Sequence, residues 1–208
     1  MLTLQLELQQ VAKRFGKQWL FQNVSALLQH GKTYALTGNN GSGKSTLLQI
    51  IYGYQTPTKG KILAISTSSN QTIEAAQLFN HASFVAPYID LPEEFTLQEQ
   101  LQFHFNFKPL VNGVTLEQIM DDIWLAESRD KKIKHFSSGM KQRLKLAQAF
   151  YANTPVLFFD EPTTNLDARG TEWYRTMVQK LKKDRLIIIA SNQNFEYDFA
   201  DEVINVSI

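Results

Sequence analysis

Residues Gly38-Asn39-Asn40-Gly41-Ser42-Gly43-Lys44-Ser45-Thr46 combine glycines, one cation and hydroxyls in the spacing G-x-x-x-x-G-K-[ST]. Glycine lets the backbone curl until successive N–H groups point at one phosphate chain, which bulkier residues would obstruct. Lys44 adds a point charge for β- and γ-phosphates, and the Ser45 hydroxyl suits Mg²⁺. In a chain of 208 residues a chance match is on the order of 1% at ordinary glycine usage. All nine positions are therefore candidate contacts to a nucleoside triphosphate. A second pair of reactive groups, Asp160-Glu161, directly follows the apolar run Val156-Leu157-Phe158-Phe159. Carboxylates at the C-terminal end of a buried parallel strand lie where α/β sheets bind ligands. Asp160 is expected to hold Mg²⁺ through a water, together with Ser45. Glu161 is expected to polarise the water that attacks a γ-phosphate.

These groups need elements to carry them. Lys32 to Thr37 reads as a short buried strand entering the glycine loop. Leu47, Leu48, Ile50 and Ile51 give the apolar face of a helix leaving it, ended by Gly53. Strand, loop and helix N-terminus make an anion site. Upstream, Leu2, Leu4, Leu6 and Leu8 alternate with polar residues, the period of a half-buried strand. A turn at Gly16-Lys17 and the run Trp19 to Leu28 extend this into an antiparallel β region. Pro57 to Gly60 is a turn before a strand at Lys61–Ala64, and Ser66 to Gln71 is a polar loop. The middle third is helical. Thr96-Leu97-Gln98-Glu99 is a capping box, followed by Leu97, Leu101 and Phe105 at helical spacing. Further helices are predicted over Leu116–Glu127 and Ser138–Ala152. The aromatics Phe103, Phe105 and Phe107 are expected in the core of this helical part. Leu186 to Ala190 is apolar throughout, as a parallel strand covered on both faces requires, and Val203 to Val206 is a last strand.

Composition excludes several alternatives. The chain has no cysteine, so disulfide and thiolate chemistry are absent. The histidines, His30, His81, His104 and His135, show no metal spacing. A net charge of +1 gives no footprint for a nucleic-acid partner, and none is expected. Lys131, Lys132 and Lys134 read as a solvated charge run, as do Lys180, Lys182 and Lys183. No apolar run approaches the roughly 18 residues of a membrane span. The N-terminal MLTLQLELQQ lacks the basic and apolar regions of a signal peptide. Any membrane role is expected to come through a partner.

Phe136-Ser137-Ser138-Gly139-Met140-Lys141-Gln142-Arg143 resembles the LSGGQ-x-Q-R signature of ATP-binding cassette (ABC) proteins, placed shortly before FFDEPTTNLD. The order of motifs over nearly the whole chain is similar to an ABC transporter nucleotide-binding subunit, most like small cassettes of exporter type. The resemblance implies an α/β P-loop NTPase fold. Its sheet would be mainly parallel and flanked by helices, with an N-terminal antiparallel β region and an inserted helical subdomain. It also implies one ABC ATPase domain over 1–208, with a core at approximately 1–86 and 153–208 and the helical subdomain at 87–152. ATP and Mg²⁺ would be the cofactors. Two cassettes, expected to be identical, would close head to tail, with Ser137 and Gly139 of one capping the ATP held by the other. Asn165-Leu166-Asp167 matches the loop the family lays along that interface, and Phe15 the aromatic that stacks on adenine. A separate integral-membrane permease would hold the pair at the cytoplasmic face of the membrane.

Three positions depart from the family. Asn192 stands where the family has a catalytic histidine; its amide still donates a hydrogen bond but cannot titrate near neutral pH. The Q-loop glutamine is replaced by Pro87 or Tyr88, and in the signature Ser138 and Met140 replace glycine and glutamine. Lys44, Asp160 and Glu161 are present, so a working but slow ATPase is expected. The alternatives are a regulatory cassette that binds ATP with little turnover, and a non-transport ABC protein acting on nucleic acid.

Overall fold

The computed structural model describes residues 2–69 and 71–206. The N-terminal sheet is antiparallel, built from β1 (Leu4–Phe15), β2 (Gln18–Leu28), β4 (Lys59–Ser66) and β5 (Thr72–Ile73) in the order β2-β1-β4-β5. Its leucines alternate as the sequence requires: Leu4, Leu6 and Leu8 are buried between more exposed neighbours. β4 begins two residues earlier than expected, because Gly60 is part of the strand. Gly60 sits at φ +79°, beside the register shift between Gln9 and Ala12, and a Cβ there would lie 2.4 Å from the Gln9 and Gln10 carbonyl oxygens. The residues after β4 turn as predicted, except that Asn70 of that loop lies outside the described residues.

The second sheet is wholly parallel: β3 (Thr33–Thr37), β6 (Ala82–Val85), β7 (Val156–Asp160), β8 (Leu186–Ala190) and β9 (Glu202–Asn205), in the order β6-β7-β8-β3-β9. Every residue of β7 and β8 is buried. Successive side chains enter different cores, as the period of two demands. Phe158 and Ile188 pack with helix α1 (Lys44–Tyr52) and the antiparallel sheet, whereas Phe159 and Ile189 pack with the helical part. Each such side chain contributes about 1.5–3 kcal/mol by leaving water.

Between β6 and β7 stand α3 (Leu97–Phe107), α4 (Leu116–Asp122) and α5 (Ser138–Tyr151); a short α2 (Ala75–Leu78) precedes β6, and α6 (Ala168–Leu181) follows β7. Thr96 caps α3 through the predicted box, its hydroxyl accepting from the Glu99 amide while Glu99 accepts from the Thr96 amide. α4 stops at Asp122, short of the predicted Glu127. Trp124 adopts φ +57°, and its ring is covered by the Arg169 guanidinium at 3.7 Å and the Arg143 guanidinium at 5.3 Å. The expected aromatic core is only partly realised. Phe105 packs against it, whereas Phe107 is 73% exposed and stacks edge-on with the also exposed Phe103.

Candidate functional site

A parallel sheet brings all its carboxyl ends to one edge, and the chemical groups of this chain emerge there. β3 leads into the glycine loop, β7 ends in Asp160-Glu161, β8 is followed by Ser191-Asn192, and β6 by Pro87-Tyr88. Gly38, Gly41 and Gly43 all have positive φ. A Cβ on Gly38 would meet the Val206 carbonyl at 2.4 Å, and one on Gly43 the Leu20 side chain at 2.6 Å, so these two turns admit only glycine. Helix α1 starts directly after Gly43 with no acidic residue in its first turn, which leaves its N-terminal amides to an anion.

Lys44 is buried, and its ammonium donates to the carbonyls of Gly38 at 3.0 Å and Asn39 at 3.1 Å. Burial lowers its pKa, opposed by the carboxylates of Glu161 and Asp160. Ser45 Oγ donates to Asp160 Oδ1 at 2.9 Å, and the Tyr88 hydroxyl donates to Asp160 Oδ2 at 3.0 Å. Asp160 is 2% exposed, and burial pushes its carboxyl pKa up against the effect of these two donors. Converging hydroxyl and carboxylate oxygens are the hard donors Mg²⁺ prefers, so Ser45 and Asp160 fit that ion. Glu161 has φ +44°, its amide tied to the Ala190 carbonyl at 2.9 Å. It lines a cleft of about 290 Å³ with Phe15, Leu20, Asn40, Gly41, Gly43, Lys44, Ser45 and Thr46. Phe15 is 57% exposed at the mouth of that cleft, so it is no part of the core. Asn192 donates to the side-chain oxygen of Asn40, which places it against the glycine loop.

The signature segment lies elsewhere. Ser137 caps α5 by accepting from the Met140 amide, and neither Ser137 nor Gly139 lines the cleft. Gly139 lies against the Asn165 loop instead: a Cβ would be 2.9 Å from the Asn165 carbonyl. Two further residues tie α5 to the site. Gln142 donates to the Pro162 carbonyl at 2.7 Å, and Lys145 donates to the carbonyls of Ala86 (2.9 Å), Ile89 (3.2 Å) and Pro87 (3.3 Å).

A match to the ABC transporter family extends over residues 21–164, more than half of the chain. The chain belongs to the ABC transporter family. Among its relatives, the uncharacterized ABC transporter ATP-binding protein YhcH of Bacillus subtilis is 31% identical over 192 residues, covering 90% of this chain and 61% of the relative. YcbN of the same species, also named an uncharacterized ABC transporter ATP-binding protein, is 27% identical over 94% of this chain and 64% of its own length. The chain thus spans less than two thirds of these two relatives. The lantibiotic transport ATP-binding protein SrtF of Streptococcus pyogenes is 30% identical, with 90% of this chain and 79% of the relative aligned. A solved ATP binding subunit of an ABC transporter superposes with TM-score 0.85 at 23% identity, covering 100% of this chain and 86% of the other. A dimeric ATP-binding cassette in a post-hydrolysis state, bound to ADP and Pi, superposes with TM-score 0.81 at 22% identity over 97% and 94%. The architecture of this ABC cassette is therefore the P-loop NTPase fold expected from its sequence.

Sequence reasoning missed Tyr88 as a partner of Asp160, and it missed Glu196. Glu196 is fully buried. Its carboxylate accepts from the Thr163 amide at 2.8 Å and from the hydroxyls of Thr163 and Ser191. It thereby joins the segment after Glu161 to the residue before Asn192. Nothing local in the polar stretch Asn192 to Glu196 signals that role.

Proposed function

We propose that this chain is the ATP-binding and hydrolysing cassette of an ABC transporter, closing on a second cassette around Mg-ATP to drive a separate membrane permease. The Ser45–Asp160 contact carries the reading: it joins the glycine loop to the β7 carboxylate in the cleft that Glu161 and Lys44 line. In this reading Gly38 to Thr46 hold the phosphates, Phe15 stacks on adenine, Ser45 and Asp160 hold Mg²⁺, Lys44 and Asn192 contact phosphate, and Glu161 activates the attacking water. Bound Mg²⁺ would offset charge developing on the phosphates. Residues 1–86 and 153–208 act as the nucleotide core and 87–152 as the helical subdomain.

The position of Ser137 and Gly139 outside the chain's own cleft favours a dimer in which they serve the partner's ATP. No helix among the described residues is long and apolar enough to cross a membrane, in keeping with attachment at the cytoplasmic face through a permease. The exposed Phe103 and Phe107 offer apolar surface for such a partner. The net charge of +1 favours a protein partner over nucleic acid. A second reading, a regulatory cassette with little turnover, draws on Asn192 being engaged by Asn40 instead of a titratable group standing there.

Glu161→Gln should bind Mg-ATP without consuming it and sediment as a dimer, returning to monomer in ADP. A variant that stays monomeric at saturating ATP would contradict closure around the nucleotide.

A further inference from the structure

Both oxygens of the metal-binding carboxylate are engaged, and the two donors are not equivalent. Ser45, on Oδ1, can keep its place when a cation arrives, because its oxygen is itself a ligand. Tyr88 faces Oδ2 with its proton. Gln49 Nε2 donates to the Tyr88 oxygen at 2.7 Å, and Gln55 Nε2 donates to Gln49 Oε1 at 2.5 Å. The donors therefore run one way, from Gln55 through Gln49 and Tyr88, and end on the Asp160 anion. The Tyr88 proton occupies one lone-pair site of Oδ2 and draws on the negative charge that a divalent cation, or the water it carries, would use.

We propose that the Tyr88 hydroxyl is a latch on Asp160 that Mg²⁺ must displace, so that Tyr88 sets how strongly the metal adds to nucleotide binding. This inference rests on the Mg-ATP reading of the site. The backbone around Tyr88 is pinned, because Lys145 holds the carbonyls of Ala86, Pro87 and Ile89. Release therefore falls to the side chain. Space for it exists: a cavity of about 390 Å³, lined by Gln49, Tyr54 and Phe84, adjoins the ring. The latch also ties the metal carboxylate to the linker gripped by α5, the helix that begins at the signature.

The test is calorimetric titration of the full chain with ATP, once with Mg²⁺ and once with EDTA, for wild type, Tyr88→Phe and Gln49→Ala. Removing a hydrogen bond made to the carboxylate only in the metal-free form should enlarge the gain from Mg²⁺ by about ten- to hundredfold in Tyr88→Phe, with the EDTA affinity unchanged. Gln49→Ala should shift the same ratio in the same direction by less, and it carries the test if Tyr88→Phe fails to fold. A ratio that is unchanged or reduced would overturn the latch. Equal shifts in both titrations would also overturn it, since they would report a structural role alone. Wild type that binds no ATP under either condition would overturn the reading of the site itself.

Discussion

Glu196→Ala is the perturbation whose magnitude follows most directly from the hydrogen-bond network. The Glu196 carboxylate is fully buried and takes the Thr163 amide and hydroxyl on Oε1 and the Ser191 hydroxyl on Oε2. Ser191 Oγ in turn accepts from the Gln193 amide at 2.8 Å. Truncation deletes hydrogen bonds to a charged acceptor, each worth about 1.5–3 kcal/mol, and strands a buried amide. Relief of the buried charge offsets part of that loss. The net destabilisation should be about 3–5 kcal/mol, a large share of the roughly 5–15 kcal/mol typical of a folded protein. Glu196→Gln keeps an oxygen for Thr163 and offers Ser191 an NH₂ group, so it should cost only about 1 kcal/mol, the size of one net hydrogen bond. Urea unfolding with a shared m-value would measure both. An alanine variant within about 1 kcal/mol of wild type, far short of the loss expected for the whole network, would refute the account of it.

Two other outcomes follow from the same reasoning. Burial, with the nearby Lys108 charge second, holds the His104 pKa down at about 4. The unfolded chain then binds the proton first, so stability should fall between about pH 6.5 and pH 4, by at most about 3 kcal/mol, and His104→Leu should flatten that slope. Equal slopes would contradict the assignment. Gly60→Ala places a Cβ 2.4 Å from the carbonyls of Gln9 and Gln10 at φ +79°, and should lower stability by at least about 2 kcal/mol on thermal unfolding, whereas a neutral result would mean the bulge does not need glycine.

What the sequence disclosed was what depends on near neighbours. The glycine loop is legible because its residue types and spacing fall in one unbroken stretch, although the clashes that require Gly38 and Gly43 come from Val206 and Leu20, far along the chain. β7 is legible because its apolar run leads straight into Asp160-Glu161. The start of α3 is legible because Thr96 and Glu99 bond each other. The end of α4 is not, since Trp124 turns under Arg143 and Arg169 from distant segments. The exposure of Phe103 and Phe107 could have been read from helical spacing, which gives the inner face to Leu97, Leu101 and Phe105. Tyr88 and Glu196 were beyond reach: their partners Asp160 and Thr163 stand 72 and 33 positions away, joined only by the fold.

The central claim is that this cleft binds Mg-ATP and that Glu161 activates the attacking water. Phosphate release from Mg-ATP by the wild-type chain and by Glu161→Gln, with ATP occupancy measured in the same samples, tests it most directly. The account predicts turnover by wild type and a loss of at least about 10²-fold in the variant at unchanged occupancy, the factor a general base supplies. Equal turnover by the two proteins would contradict it.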